Sequence, residues 1–345
     1  MAIAIGVDVG GTRLKAGLVE MQLERVGGRR RVSRARVLTF TSGETPRDGG
    51  RRRLFEVIAA KAAEAAKRGA RRGTRKPHGI GVGVPGPVDV ERGFCFTGAN
   101  LPALTRCDAE GELRRALRAR GSDLAGLPIA VDNDANMATL AELRVGGGRD
   151  VESLLMLTLG TGIGGGIAVQ DEIWHGAQWA AAEIGHMVVQ KDGGALCGCG
   201  NHGCFETVAA EGGILRRARN RLQAGEPSVL TTRFGTGLAR AEAGDIIDAA
   251  RQGDALAQTV LRETGEWIGV GLASAVVLLD PQLVLIGGGI AKAGKLLFDP
   301  IRRTLAERAP ISRMRPSCVR RARVGYRAGT VGSAILAVEA SASRR

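Results

Sequence analysis

A strand, a glycine-rich turn and a returning strand occur twice in this chain, and that repetition limits the available folds more than any other feature. Ile3 to Asp8 reads as a strand, Val9-Gly10-Gly11-Thr12 as a turn, and Leu14 to Glu20 as the return. The same unit recurs as Ser153 to Leu159, Gly160-Thr161-Gly162 and Gly165 to Gln170. Each copy is followed by helical periodicity, first at Leu54 to Arg68, where Leu54, Val57, Ile58 and Ala62 share one side. Strands followed by helices read as α/β. The duplication predicts two related halves facing a cleft, joined near residues 125–150.

Between and after the repeats the pattern predicts further elements. A third strand is expected at Val37 to Thr41, after a polar, basic hairpin near Gly27-Gly28. A buried strand at Gly79 to Val84 ends in Pro85-Gly86-Pro87, a strong turn signal. Helix Glu112 to Ala119 and strand Ile129 to Val131 precede helix Ala135 to Arg144, which stops at Gly146-Gly147-Gly148. Helices are expected at 210–223, at 244–252 with Asp245 as its cap, and at 255–279. Strand Leu283 to Ile286 runs into Gly287-Gly288-Gly289. A helix at 296–308, a strand at Val319 to Val324 and a helix from Gly329 complete the chain.

The 345 residues are enough for two domains, and 44% hydrophobic with 24% charged residues is ordinary for a globular protein. Nothing at the N-terminus reads as a signal peptide, and no apolar run approaches the roughly 20 residues of a membrane span. The expected location is the cytoplasm, where thiols stay reduced. A net charge of +14 raises the question of a nucleic-acid surface. The arginines are spread along the chain, however, aromatic content is only 3%, and no nucleic-acid-binding motif appears. No specific nucleic-acid partner is expected. Runs such as Arg29-Arg30-Arg31 and Arg51-Arg52-Arg53 read as loops or helix starts.

The two turns carry the first candidate chemistry. Glycines at Gly10, Gly11, Gly160 and Gly162 let backbone N–H groups approach phosphate oxygens without an intervening Cβ. Thr12 and Thr161 add hydroxyl donors, and Asp8 is placed to hold Mg²⁺ directly or through water. A lone turn of this kind is ordinary; a matched pair favours a phosphate-binding role. Neither fits a P-loop or a dinucleotide fingerprint. Asp134, where a strand meets a helix, is the candidate general base for an alcohol substrate. The alternative is that Asp132 or Asp134 merely caps the helix. Gly287-Gly288-Gly289 would let an adenine or ribose lie against the backbone, or is simply a turn.

Glu183-Ile184-Gly185-His186 is followed by Cys197, Cys199 and Cys204, with glycines between the cysteines and Glu206 just after. Three thiolates and an imidazole make a closed tetrahedral Zn²⁺ set. Either His186 or His202 supplies the nitrogen on this reading. Glu183, His186 and Glu206 would then present hydrogen-bonding groups to the hydroxyls of a polyol.

Together these motifs resemble the ROK family (repressors, open reading frames and kinases), and most closely its bacterial glucokinase-like sugar kinases. The matching segments are Asp8-x-Gly10-Gly11-Thr12-x-x-Lys15, Asn133-Asp134-Ala135-Asn136, Leu159 to Gly166, Glu183 to His186 and the cysteine run through Glu206. The resemblance implies an actin-like ATPase fold, ribonuclease H-like and duplicated, with an interdomain cleft. Its small domain would be residues 1–130 completed by 318–345, and its large, zinc-bearing domain 131–317. It implies Asp134 as catalytic base and Gly83, Gly86, Asn100, Asn133, Glu183, His186 and Glu206 as sugar contacts. It implies ATP contacts at Asp8, Gly10, Gly11, Thr12, Lys15, Gly160, Thr161, Gly162 and Gly287 to Gly289. The zinc ligands become His186, Cys197, Cys199 and Cys204. ATP, Mg²⁺ and structural Zn²⁺ are the implied cofactors, a hexose the substrate, glucose first, and a homodimer the assembly, with a tetramer second. N-acetylmannosamine, N-acetylglucosamine, mannose, fructose and allose are the other sugars, and polyphosphate another donor.

Departures from the family pattern stand at three places. Gln178-Trp179-Ala180-Ala181-Ala182 replaces a stretch where many relatives carry glycines, Leu104 stands where an aromatic is usual, and the basic segment Arg25 to Arg36 is longer than usual. A sugar-sensing regulator is the alternative class. It is disfavoured because a strand begins by Ile3, where such proteins carry a helix-turn-helix.

Overall fold

Apart from Asp8, Ala2–Val9 is an apolar run of the kind that suits a strand covered on both faces, and all eight of its residues are buried. The computed structural model describes every residue except Gly28, Ala99, Asn100, Arg344 and Arg345, and leaves out the side chains of Arg29 and residues 341–343. Chain contacts divide it into two compact units. The first comprises Met1–Val151, Gly166–Ala181 and Arg323–Arg345, the second Glu152–Gly165 and Ala182–Ala322. Residues 125–150, where the join between halves is expected, carry the strand and helix also expected there and fall within the first unit.

In chain order the elements begin β1 (Ala2–Val9), β2 (Arg13–Val26), β3 (Arg29–Glu44), α1 (Gly50–Ala70) and β4 (Ile80–Val84). Short strands β5 (Val88–Asp89), β6 (Phe94–Cys95) and β7 (Cys107–Asp108) form a small sheet before α2 (Ala109–Ala119), β8 (Ile129–Asn133) and α3 (Asp134–Val145). Then come β9 (Leu154–Leu159), β10 (Ile163–Val169) and β11 (Glu172–Ile173). The helices α4 (Phe205–Ala209), α5 (Glu211–Gln223), α6 (Val229–Phe234), α7 (Ala243–Arg251) and α8 (Ala255–Leu279) follow. The chain closes with β12 (Leu283–Gly287), α9 (Lys295–Arg308), β13 (Val319–Arg321) and α10 (Ala328–Ser343).

The larger sheets run β3-β2-β1-β4-β8 and β11-β10-β9-β12-β13. Numbered within its own repeat, each has the order third, second, first, fourth, fifth. The duplication read from the two turns is thus a duplication of sheet topology. In the first sheet β1 pairs antiparallel with β2 and parallel with β4, and β4 pairs parallel with β8. Leu54, Phe55, Ile58 and Ala62 of α1 bury one helical face in the core with Val7, Leu18 and Val82. On α10, Ser333 donates from its hydroxyl to the Val7 carbonyl at 2.9 Å. Gly6 and Gly81 leave no space for a Cβ beneath Thr330 and Ser333, so α10 lies close against the strands.

Several boundaries differ from expectation. β3 spans sixteen residues rather than five, so Arg29-Arg30-Arg31 lies in a strand, not a loop. Arg25 pairs with Arg30 and Glu24 with Arg31 in a long ribbon. β2 turns from buried to exposed toward this tip, and without a core beneath it the apolar alternation that signals a strand fades. The ribbon is secured elsewhere: Arg31 pairs with Asp171, which also takes a 2.7 Å ion pair from Arg144 of α3. The Arg144 side chain is 3% exposed and meets Glu339 of α10 at 2.9 Å. Asp245 does not cap α7; Glu242 does, and Asp245 completes a reciprocal capping box from the third helical position. β13 ends at Arg321 rather than Val324.

β3 is the sheet's edge, where outward carbonyls invite another strand. Arg68 donates to the Phe40 carbonyl at 3.2 Å and Arg72 to the Leu38 carbonyl at 2.9 Å. Among the described residues, no helix is long and apolar enough to cross a membrane.

Candidate active site

Strand register gathers the first group. Asp8 lies opposite Gly83, and Gly83 opposite Asp132, at the C-terminal ends of the parallel strands β1, β4 and β8. Open α/β sheets present ligands at that end. Asp8 is buried, and its Oδ2 accepts from Lys15 Nζ at 2.9 Å. Lys15 also stands over the Tyr326 ring, 4.4 Å from its centroid. The turn between them is tight: Gly10 N–H donates to the Arg13 carbonyl at 3.1 Å, and the Thr45 hydroxyl donates to the Gly10 carbonyl at 2.7 Å. Arg47 reaches the same turn, 3.3 Å from the Gly11 carbonyl and 3.4 Å from the Thr12 hydroxyl. Nothing in the local sequence singled Arg47 out among 49 basic residues.

Asp134 opens α3 as its first helical residue, and its Oδ1 accepts from the Ala135 N–H at 2.9 Å. The cap is neither Asp132 nor Asp134. Asn133 fills it, its Oδ1 accepting from Ala135 N–H at 2.8 Å and Asn136 N–H at 3.1 Å. Asn133 Nδ2 donates to the Gly86 carbonyl at 3.2 Å. Gly86 turns after Pro85 with φ 90°, a conformation glycine adopts freely. A Cβ on Gly83 would stand 3.3 Å from the Asp134 Cα. Gly83, Gly86, Asn133 and Asp134 therefore lie together; Asn100 lies outside the described residues.

Beneath this group is a pair that sequence reasoning missed. Asp132, 2% exposed, accepts on Oδ1 from Asn133 N–H at 2.6 Å and Asn136 Nδ2 at 3.1 Å. Its Oδ2 is 2.8 Å from His175 Nε2. Burial opposes charge on the His175 imidazole, but the Asp132 hydrogen bond and charge outweigh it and hold the ring's pKa above its ordinary value. The Trp179 ring meets the imidazole edge-on at 5.7 Å. Trp179 and Ala182 have φ of 60° and 66°. Both lie in the left-handed region that glycine adopts freely, without being glycines.

The second unit holds the other groups. Gly160 N–H donates to the Gly162 carbonyl at 3.0 Å, closing the turn between β9 and β10. Gly287 sits opposite Thr158 on the parallel strands β12 and β9. Gly288 has φ 88° and leaves no room for a Cβ against Leu159, so the Gly287–Gly289 turn packs beside the Gly160–Gly162 turn. Glu206 Oε2 accepts from the Ile163 N–H at 3.0 Å, joining that turn to the cysteine loop.

In the cysteine loop, one donor atom each from His186, Cys197, Cys199 and Cys204 lies within 4.8 Å of all the others. A zinc tetrahedron with ordinary Zn–S and Zn–N bonds has edges of about 3.8 Å between sulfurs and about 3.6 Å from sulfur to nitrogen. Cys199 and Cys204 sulfurs are 3.8 Å apart, and Cys197 Sγ is 3.5 Å from His186 Nδ1. The donor set fits that metal. His202, the alternative ligand, instead places Nδ1 3.0 Å from the Gly194 carbonyl. His186 Nε2 faces Glu183 at 3.9 Å. Burial raises the Glu183 pKa; His186 opposes the rise and Glu206 adds to it.

The sequence pattern of the ROK family matches residues 4–340. Over 342 residues the chain is 34% identical to the glucokinase of Streptomyces coelicolor, covering 98% of each. It is 28% identical to the N-acetyl-D-glucosamine kinase of Yersinia enterocolitica, over 96% of this chain and 98% of that one. A crystal structure of a ROK family glucokinase from Streptomyces griseus, in complex with glucose and AMPPNP, aligns at a TM-score of 0.80. Their identity is 32%, over 98% of this chain and 100% of the other. The α/β architecture is the actin-like ATPase fold of ROK sugar kinases. With its sequence matched almost end to end and its fold shared with a solved glucokinase, the chain belongs to the ROK family.

Proposed function

We propose that the protein is an ATP-dependent sugar kinase acting on a hexose, with glucose as first substrate and O6 as the acceptor. The observation that carries this is the placement of Asp134 at the start of α3, capped by Asn133 and backed by Gly83, in a chain 34% identical to a glucokinase. Asp134 accepts the proton of the sugar hydroxyl as its oxygen attacks the γ-phosphorus. The bond from that phosphorus to the β-phosphate bridging oxygen breaks, and ADP leaves with the electron pair. Asn133, Glu183, His186 and Glu206 orient the sugar by hydrogen bonds. The Gly10–Thr12 and Gly160–Gly162 turns hold the phosphates, and Gly287–Gly289 the adenosine. Mg²⁺ would be held by Asp8, directly or through water, and would supply charge neutralisation at the phosphates. Zn²⁺ would be held by His186, Cys197, Cys199 and Cys204, stiffening the loop that carries Glu206; four protein ligands leave it no substrate position.

None of the six cysteines is in a disulfide, which suits action in the cytoplasm. The family resemblance favours a homodimer. Similarity to an N-acetyl-D-glucosamine kinase supports an N-acetylated hexose as second reading. A turnover panel of glucose, mannose, fructose, allose, N-acetylglucosamine and N-acetylmannosamine with ATP distinguishes the two. Asp134→Asn should abolish phosphorylation while sugar binding survives. Near-normal turnover in that variant would remove Asp134 as the base, and no turnover of any sugar by the native chain would remove the kinase reading.

A further inference from the structure

We propose that His175 is a positioning residue for phosphoryl transfer: by holding Asp132 it fixes the first turn of α3 and the direction in which Asp134 presents its carboxylate. The inference rests on the reading of Asp134 as the base.

Asp132 is almost wholly buried, and a buried carboxylate needs its oxygens satisfied. One oxygen is spent on the start of α3, through Asn133 N–H and the Asn136 amide. The other is held by His175. A carboxylate only accepts, so Nε2 carries the proton in this contact. Without that donor the Asp132 oxygen is left bare in the interior. Relief requires the carboxylate to turn or to draw in water, and either change pulls on Asn133 and Asn136. Asn133 is the cap from which Asp134 follows directly, and its side chain also ties the turn to Gly86. Small displacements there matter, because a base about 1 Å out of place loses roughly a hundredfold in rate.

His175 is placed by its own loop. The Ala181 N–H donates to the His175 carbonyl at 3.0 Å, and Trp179 packs on the imidazole from a left-handed backbone position. The histidine that supports Asp132 is thus held by contacts within its own loop, from Trp179 to Ala181.

The test compares His175→Asn with His175→Gln. Both keep a polar side chain, but only the glutamine amide reaches where Nε2 stands. Each is measured for kcat and KM in the native chain, and His175→Asn also for sugar affinity by calorimetry in the Asp134→Asn background, where binding survives without turnover. His175→Asn should lower kcat roughly ten- to a hundredfold with KM for sugar and ATP little changed. His175→Gln should recover most of the rate. In the Asp134→Asn background, His175→Asn should leave sugar affinity unchanged, since it acts on the base and not on the sugar contacts. A normal kcat in His175→Asn, equal losses in the two variants, a change in KM alone, or weakened sugar binding in the Asp134→Asn background each overturns the proposal. Near-normal turnover of Asp134→Asn alone overturns the base assignment instead.

Discussion

The Glu206 carboxylate accepts a hydrogen bond from the Ile163 backbone N–H at 3.0 Å, tying the cysteine loop to the glycine turn that follows β9. Gly162 leaves no room for a Cβ beside the same carboxylate. One side chain therefore serves a loop proposed for sugar and a turn proposed for phosphate. Glu206→Ala should raise KM for ATP as well as for sugar, each by roughly tenfold, the scale of one lost charge-assisted hydrogen bond. Steady-state kinetics with each substrate varied in turn provide the check. An unchanged ATP KM would show the tie to be dispensable.

Zinc should be present at one ion per chain, held by the Cys₃His set. Removing it should loosen the loop from His186 to Glu206, seen as new proteolytic cleavage there and as weaker sugar binding by calorimetry. Full sugar affinity in metal-free protein would contradict a bracing role.

Stability should respond to pH through His175, whose folded pKa lies above its ordinary 6.5. A raised imidazole pKa adds stability that is complete below the unfolded value and disappears as pH rises through the folded value. Denaturant melts from pH 5.5 to 8.5 should show a loss above about 6.5 in the native chain that is absent in His175→Gln. Parallel curves for the two proteins would rule the contribution out.

Ala182 occupies a left-handed backbone position. Glycine there avoids the Cβ penalty but adds chain entropy to the unfolded state. Ala182→Gly should therefore stabilise by about 0.5–1 kcal/mol. Equilibrium unfolding in urea measures it, and a loss of stability would mean that the methyl contact outweighs the backbone cost.

Glu142 is wholly buried in α3, accepting from Gly147 N–H at 2.7 Å and Val324 N–H at 2.6 Å. Glu142→Leu strands both donors and should cost roughly 2–5 kcal/mol, with Glu142→Gln markedly milder. Equal costs in the two variants would point to packing instead of hydrogen bonding.

Legibility followed distance along the chain. The cysteines and their partner glutamate are close in sequence, so donor type and spacing carried the metal reading, and the paired turns carried the sheet duplication. The Asp132–His175 contact joins residues 43 apart; it depends on how a loop returns to a strand end, which no local pattern encodes. The capping role also went to Asn133 rather than either neighbouring aspartate. Three adjacent capping-type residues share one propensity, and the direction in which the strand arrives chooses among them. The basic ribbon was misread for a related reason: its tip has no core beneath it to impose alternation.

Arg68 and Arg72 give part of the positive charge a different meaning. By occupying the outward carbonyls of Phe40 and Leu38, they deny a second chain the template it would need to zip onto β3. Shortening them should leave the folded monomer intact yet seed strand-by-strand polymerisation in concentrated solution. Some of this chain's arginine is thus best understood as a safeguard of solubility.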